Sequence, residues 1–407
     1  MKTGLLGRKL GHSYSPQIHR ELGGYSYCLF EREPEDVAEF LKNGDFSAIN
    51  VTYPYKKTVM PYCKLTSVAE RIGAVNTIVR QPDGSLVGHN TDYFGFCSMV
   101  KRSGLNPAGK KCLVLGSGGA SATAVAALTE MGAQVIVISR SGEDNYTNLQ
   151  RHADAAMICN CTPVGMYPNN GIAPVDLDQF PTLEGVLDVI YNPAKTKLLL
   201  DAEKRGLVTI NGLWMLVAQA KEASEWFTGK QIPDASIEAV YQKLRHKMEN
   251  IILIGMPGCG KSTIGKALAE RLGKEFVDAD AELEKQEGRS IARIIPEDGE
   301  NRFRELETTT LEHLGKQSGL VIATGGGCVT REENWPLLRQ NGRIFWLQRE
   351  LNLLPTDGRP LSQANRLEDM YIRREPLYRQ LADHVIDNNG SERQSIDRIL
   401  SILEGNR

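Results

Sequence analysis

The sequence predicts an α/β protein in which two nucleotide-binding modules built on parallel sheets follow one another. Three observations carry that expectation. Residues 255–262 read GMPGCGKS, a complete G-x-x-x-x-G-K-[ST] set between an apolar strand, Ile251–Ile254, and a helical stretch, TIGKALAERLG, that stops at Gly273. Far upstream, KCLVLG runs into GSGGAS and an alanine-rich helical stretch, the strand, glycine turn and helix that seat a dinucleotide. Around both, short apolar runs alternate with helical segments; AAMICN and GVLDVIY fit buried parallel strands.

The totals set bounds on this reading. A chain of 407 residues suggests two or three domains, each able to bury a core. Apolar residues make up 41% and charged residues 24%, the proportions of a soluble globular chain. A formal net charge of −2 gives no field for gathering nucleic acid or an anionic membrane, so the expected partners are small molecules. The N-terminus, MKTGLLGRKLGHS, lacks a sustained apolar segment, and no run approaches membrane-spanning length. The eight cysteines follow no regular spacing, and Cys159 and Cys161 sit in the apolar run MICNCTPVGM, where reduced buried thiols fit better than metal ligands. A cytoplasmic protein is expected. Oligomeric state leaves no mark.

Taken in order, residues 1–100 mix short strands (Tyr27–Phe30, Ala48–Val51, Val75–Val79) with polar helices such as Pro34–Lys42. Residues 101–212 form the dinucleotide-binding block. Within 213–248, GLWMLVAQAKEASEWFTG and SIEAVYQKLRHKME read as amphipathic helices, and the second runs almost directly into the strand at Ile251. Residues 249–407 form the P-loop domain, joined without a flexible spacer.

In the upstream module, Gly116 and Gly118 hold the first two positions of a Rossmann fingerprint, with Gly119 beside them and Ser121 where a third small residue is expected. The next strand ends VIVISRSGED. A free ribose hydroxyl favours an acid there; Ser139, Arg140 and Ser141 suit a 2′-phosphate and hence NADP. Glu143 and Asp144 work against a wider anion clamp. Between Arg140 and Ala155 there is little room for a helix.

GHSYSP (11–16), NVTYPYK (50–56), GAVNT (73–77), HNTD (89–92) and NGLWMLVAQA (211–220) occur in order, and together they resemble shikimate dehydrogenase over residues 1–245. The resemblance implies an N-terminal substrate domain completed by helices of 213–248, with NADP in the Rossmann block between. It implies that Lys56 and Asp92 serve the reacting oxygen, a carboxylate holding the ammonium in place. Ser13 and Ser15 would hold the substrate carboxylate. Asn50, Thr52, Asn76 and Gln219 would meet ring hydroxyls. Tyr191 would lie near the nicotinamide and carboxylate, and Gly212 beside the nicotinamide. An aspartate ahead of a helix also caps it, so Asp92 has a second candidate role.

After the P-loop come FVDADAELEKQEG, SIARIIPEDGENRFRELE, ATGGGCV, DGRPLS and RREPLYR, which resemble shikimate kinase over about 250–390. Phosphoryl transfer needs positioned phosphates, magnesium and an acceptor hydroxyl in line. Lys261 and the loop around Gly258, Cys259, Gly260 and Thr263 would hold ATP, and Ser262 would ligate magnesium. The resemblance assigns Asp278 to magnesium through water and Asp280 to the attacking hydroxyl, with strand alternation placing both on one side. Arg304 and Arg374 would fork the shikimate carboxylate, Gly326 and Gly327 would bring amides to the ring, and Arg359 would close a short lid (Glu350–Gly358).

Together the two resemblances imply a bifunctional enzyme that uses NADPH to form shikimate and ATP with magnesium to phosphorylate it, in aromatic amino-acid (chorismate) biosynthesis. A quinate-accepting, NAD-dependent first module is one alternative. A metabolite-sensing regulator is another, but it would lack Lys56, Asp92, Lys261 or Asp280, and all four are present.

Overall fold

The computed structural model describes residues 2–11, 13–354 and 367–405. Two compact units result. One is formed by Met1–Met166, Ile172–Tyr191 and Asp201–Leu244; the other by Tyr167–Gly171, Asn192–Leu200 and Arg245–Arg407.

The first unit contains two sheets. One has the order β2-β1-β3-β5-β6-β4. Its strands are β1 (Thr3–Gly7), β2 (Tyr27–Glu31), β3 (Ala48–Val51), β4 (Lys64–Leu65), β5 (Thr77–Arg80) and β6 (Leu86–His89). β1 is parallel to β2 and β3, while β3, β5 and β6 run antiparallel in turn. Register sets Asn50 opposite Thr77 and Thr77 opposite His89, so three of the quoted motifs meet at one end of the sheet.

The second sheet is wholly parallel, in the order β11-β10-β9-β7-β8. It comprises β7 (Lys111–Leu115), β8 (Gln134–Ile138), β9 (Met157–Asn160), β10 (Gly185–Asp188) and β11 (Val208–Ile210). The apolar runs AAMICN and GVLDVIY supply β9 and β10, every residue of which is buried. Between β8 and β9 the only regular element is a short 3-10 turn, Leu149–His152, where a full crossover helix would need more chain.

The helix Leu213–Thr228 returns to the first sheet. Ala223 and Phe227 pack with Ala48 of β3. At Gly95 of the helix Asp92–Ser103, a Cβ would lie 2.7 Å from Met215 O and 2.9 Å from Gln219 Cβ, so this glycine lets the two helices approach closely.

The second unit holds a parallel sheet of order β13-β14-β12-β15-β16. Its strands are β12 (Asn250–Ile254), β13 (Glu275–Asp278), β14 (Leu320–Ala323), β15 (Gly342–Gln348) and β16 (His384–Asp387). β12 and β14, NIILI and LVIA, are buried throughout, as expected of central strands covered on both faces. The helix Lys261–Leu272 leaves β12 through a loop in which Gly255, Gly258 and Gly260 have φ of 144°, 83° and 96°, and it ends at Gly273 in the left-handed conformation. No helix among the described residues is long and apolar enough to cross a membrane.

Candidate functional sites

In the first unit, NVTYPYK carries the chain from β3 past the buried ring of Tyr55 to Lys56, whose Nζ donates to Asp92 Oδ2 at 2.6 Å. Both side chains remain partly exposed, 28% and 14%. Asp92 is the first residue of its helix, and Thr91 occupies the capping position without a side-chain cap. The carboxylate therefore sits at the positive end of the helix but turns to the lysine rather than to the helix amides.

Beside this pair lies a closed polar network. Asn76 Oδ1 accepts from the Thr91 N–H (2.7 Å), the Thr91 hydroxyl (3.2 Å) and the Thr77 hydroxyl (3.0 Å). Asn50 Nδ2 donates to Asn76 O (3.2 Å) and Thr77 Oγ1 (3.1 Å), and its Oδ1 accepts from the Tyr27 hydroxyl (2.8 Å). Gln219 Oε1, 3.4 Å from Thr91 Oγ1, is the alternative acceptor for that hydroxyl's one proton. Asn50, Asn76 and Gln219 are thus brought together by residues the sequence reading did not single out.

Ser13 and Ser15 flank Tyr14 at the start of the helix Ser15–Gly23, and Ser13 Oγ accepts from the Ser15 N–H at 3.2 Å. Tyr191 meets Tyr14 edge to face, with ring centroids 6.2 Å apart, and burial raises its phenol above the ordinary value. Thr52 is half-buried, its N–H bonded to Leu6 O. Behind them, His19 stacks on Tyr27 (4.1 Å between centroids), and its Nδ1 lies 2.7 Å from the Tyr25 hydroxyl and 3.1 Å from Ser224 Oγ. Burial lowers the His19 imidazole to about 3, so it stays neutral. Only the fold gathers His19, Tyr25, Tyr27 and Ser224.

At the end of β7, Gly116 has φ 106°, and a Cβ there would press on Thr162 and Cys161. Gly118 and Gly119 face open space, which leaves room for a phosphate at the start of the helix Gly119–Glu130. Ser121 is buried and donates to Gly116 O at 2.7 Å, so the fingerprint's departure at this position ties the turn to the helix. Arg140 is exposed after β8, while Asp144 lies 2.8 Å from His152 Nε2. Gly212 N–H donates to Ile190 O at 2.9 Å, and a Cβ there would collide with Val189 O. Cys159 and Cys161 are free thiols with sulfurs 3.7 Å apart.

In the second unit, one cavity of about 700 Å³ is lined by the phosphate loop, both aspartates, Arg304, Arg374 and the Gly325–Gly327 turn. Lys261, nearly buried, donates to the loop carbonyls of Gly255 (2.9 Å) and Met256 (3.0 Å). Ser262 Oγ donates to Asp278 Oδ2 at 2.5 Å, a hydroxyl and a carboxylate of the kind a hard divalent cation takes. Asp278 Oδ1 accepts from the Asp280 and Ala281 amides and so caps the helix Ala279–Glu287. The two aspartates share the cleft, but not through strand alternation: β13 ends at Asp278, and Asp280 already belongs to the helix.

Asp280 is pushed up to about 6, first by burial and then by the negative charges of Glu307 and Asp278. Glu307, buried, accepts from Arg304 Nη1 at 2.8 Å, while its Oε1 has no partner. Arg304 also pairs with Glu300 at 3.2 Å. A Cβ on Gly325 would fall 2.5 Å from Glu307 Oε1 and 2.7 Å from Asp280 Oδ1; on Gly326 it would meet Pro257 of the phosphate loop; on Gly327, the Arg304 guanidinium. A side chain at any of the three glycines would displace one of these groups. Tyr378 OH donates to Gly326 O and holds the turn. Glu307 was legible as the i+3 partner of Arg304; Tyr378 had no such sign. Arg359 and residues 355–358 of the lid lie outside the described residues.

Comparison with known proteins follows the same division. The profile of the family Shikimate kinase matches residues 257–404, and that of the Shikimate dehydrogenase substrate binding domain matches residues 5–78. The shikimate dehydrogenase (NADP(+)) of Clostridium perfringens (strain 13 / Type A) is 35% identical over 265 residues, covering 60% of this chain and 97% of that protein. Among solved structures, shikimate dehydrogenase 1 from Peptoclostridium difficile gives a TM-score of 0.56 at 36% identity, covering 60% of this chain and 97% of that one. The shikimate 5-dehydrogenase of Thermus thermophilus, solved with NADP(H) and shikimate, gives 0.55 at 29% identity, covering 60% and 99%.

Proposed function

Since this chain belongs to the shikimate dehydrogenase family and continues into a shikimate kinase domain, we propose that it reduces 3-dehydroshikimate to shikimate with NADPH and phosphorylates shikimate at its 3-hydroxyl with ATP. These are consecutive steps of aromatic amino-acid biosynthesis. The observation that carries the pairing is the second unit's cavity, where a phosphate loop and two nearly buried arginines share one space of about 700 Å³. A triphosphate and an anionic acceptor fit such a cleft together.

In the first step Lys56 and Asp92 act at the reacting oxygen. Their 2.6 Å pair holds an ammonium where a nascent alkoxide needs a proton. Ser13, Ser15 and Tyr191 receive the substrate carboxylate, and Thr52, Asn76 and Gln219 the ring hydroxyls. Asn50 has both donors on Asn76 and Thr77 and works through them. Gly116, Gly118 and Gly119 fit the pyrophosphate of NADP, Arg140 its 2′-phosphate and Gly212 the nicotinamide side. The cofactor supplies hydride when bound.

In the second step Lys261 and the amides of Gly258, Cys259, Gly260 and Thr263 position the phosphates. Ser262 and Asp278 fit magnesium, which supplies charge neutralisation when bound. Asp280 takes the acceptor hydroxyl's hydrogen bond and then its proton. Arg304 and Arg374 fork the carboxylate, and the Gly326–Gly327 amides face the ring. Purified protein given 3-dehydroshikimate, NADPH, ATP and magnesium is expected to make shikimate 3-phosphate. NADPH oxidation without a phosphorylated product would reject the second half, and no oxidation at all would reject the first.

A further inference from the structure

Cys159 and Cys161 have no use in the chemistry above. β9 runs between β7 and β10 in the wholly parallel sheet of the first unit and ends at Asn160. Residues two apart on an extended chain point to one side, so the thiols flanking Asn160 are neighbours, both free, with sulfurs 3.7 Å apart. Cys159 is buried and fixed on both sides, in register with Val114 of β7 and Leu187 of β10. Cys161 is the first residue beyond the strand. It is half-buried, and its N–H still donates to Leu115 O at 2.9 Å.

The residue between them holds the cofactor end of this sheet together. Asn160 Oδ1 accepts from the Thr162 N–H (3.0 Å) and hydroxyl (2.7 Å), and its Nδ2 donates to Asp188 Oδ1 at 3.1 Å. Asp188 Oδ1 also accepts from the Ile190 N–H at 3.0 Å, and Asn160 O accepts from the Val189 N–H at 3.1 Å. Gly212, assigned to the nicotinamide side, donates to Ile190 O. On the other side, a Cβ on Gly116 would lie 3.1 Å from Thr162 Cγ2 and 3.3 Å from Cys161 O. A movement of Asn160 and Cys161 therefore reaches the pyrophosphate turn and the nicotinamide side at once.

A disulfide needs sulfurs about 2.05 Å apart, so closing this pair must draw them together from 3.7 Å. With Cys159 fixed between two strands, the displacement falls on Asn160 and Cys161. We propose that Cys159 and Cys161 form a peroxide-sensitive switch on the NADP pocket, in which Cys161 attacks the oxidant, Cys159 resolves it, and the resulting disulfide loosens NADPH. The hydrogen bond to Cys161, and after it burial, hold the Cys159 thiol well above its ordinary value, so it keeps its proton. Cys161, the more accessible sulfur, meets the oxidant. Its thiolate attacks one oxygen of hydrogen peroxide and the O–O bond breaks; the other oxygen leaves as hydroxide and takes up a proton to become water. The Cys159 sulfur then attacks the Cys161 sulfenic acid, the S–S bond forms, the S–O bond breaks, and the hydroxyl leaves with the Cys159 proton as a second water. The two thiols give up two electrons and two protons, and one peroxide takes up both pairs.

The proposal rests on the NADP-binding half of the dehydrogenase reading, and its test separates it from the rest. Full-length wild type, C159A and C161A are treated with hydrogen peroxide, quenched with catalase and divided. One portion is alkylated and the thiol state of residues 159–161 read by mass spectrometry; the other is titrated with NADPH, whose own fluorescence gives Kd without turnover. Wild type is expected to form the 159–161 disulfide, to bind NADPH about tenfold more weakly and to recover with dithiothreitol. C159A should stop at the Cys161 sulfenic acid, trapped by dimedone. C161A should keep Cys159 as a thiol and its Kd for NADPH unmoved by peroxide. Should C159A fail to fold, C161A alone makes the comparison, since it removes the attacking sulfur at a half-buried position. Two free thiols in peroxide-treated wild type overturn the proposal, as does a disulfide that leaves Kd unchanged or an equal weakening in C161A. An untreated wild type that binds NADPH but does not reduce 3-dehydroshikimate strikes the catalytic reading and leaves this one standing.

Discussion

The polar groups of the first unit's site satisfy one another, whereas those of the second unit's site are held in conflict. Around Lys56, the ammonium has its carboxylate, and Asn50, Asn76, Thr77, Thr91 and Gln219 exchange hydrogen bonds in a closed set. Around Asp280, three carboxylates crowd a nearly buried space, Glu307 leaves one oxygen without a partner, and Lys261 leans on its own loop carbonyls. The contrast follows from the chemistry. A ring ketone and its hydroxyls need a rigid, nearly neutral template. A triphosphate with a divalent cation brings its own charges, and a site ready for them is electrostatically unbalanced until they arrive.

The contrast can be broken most severely at Lys56. Replacing it with alanine removes the proton donor and should lower reduction of 3-dehydroshikimate by about a thousandfold while shikimate phosphorylation proceeds at the wild-type rate. Separate assays of the two half-reactions check this, and a parallel loss of both would mean that the sites are not independent.

Asp280→Asn should do the converse, lowering phosphorylation about a hundredfold or more and sparing reduction. The same variant tests the electrostatic side of the comparison. A carboxyl raised from 3.8 to about 6 favours the folded state while protonated; that advantage is fully present below pH 4 and is lost as pH rises through 6. The neutral asparagine escapes the loss. In unliganded protein, Asp280→Asn should raise stability above pH 6, by on the order of 2 to 3 kcal/mol at most, and have little effect near pH 4. Thermal melts across that range decide it; a variant less stable than wild type at pH 8 would show that Asp280 is not under strain. Wild-type kcat/KM for phosphorylation should correspondingly fall as pH drops through 6.

A smaller effect is expected at Gly327. Alanine there drives a methyl group into the Arg304 guanidinium, so KM for shikimate in the kinase assay should rise about tenfold with KM for ATP unmoved. Smallest is Tyr27→Phe, which deletes the hydroxyl given to Asn50. Loss of about 1 kcal/mol should raise KM for 3-dehydroshikimate several-fold and leave the kinase alone; an unchanged KM would mean that Asn50 holds its place without that bond.

Local pattern in the sequence was enough to locate both nucleotide-binding turns, the parallel strands and the boundary helices. Glycine, lysine and hydroxyl spacing is dictated by how a strand turns into a helix around a phosphate, and a fully buried strand must be apolar along its whole length. The motifs also named Lys56, Asp92, Asp280, Arg304 and Arg374. Tertiary structure decided which of these groups are satisfied and which are strained. That Asp92 turns to Lys56 instead of capping its helix, that Asp278 and Asp280 share a cleft across a strand–helix junction, and that Tyr27 and His19 stand behind Asn50 all depend on side chains meeting in the folded chain. Burial and the company of other charges set a group's energy, and neither is a property of the residues beside it in the chain.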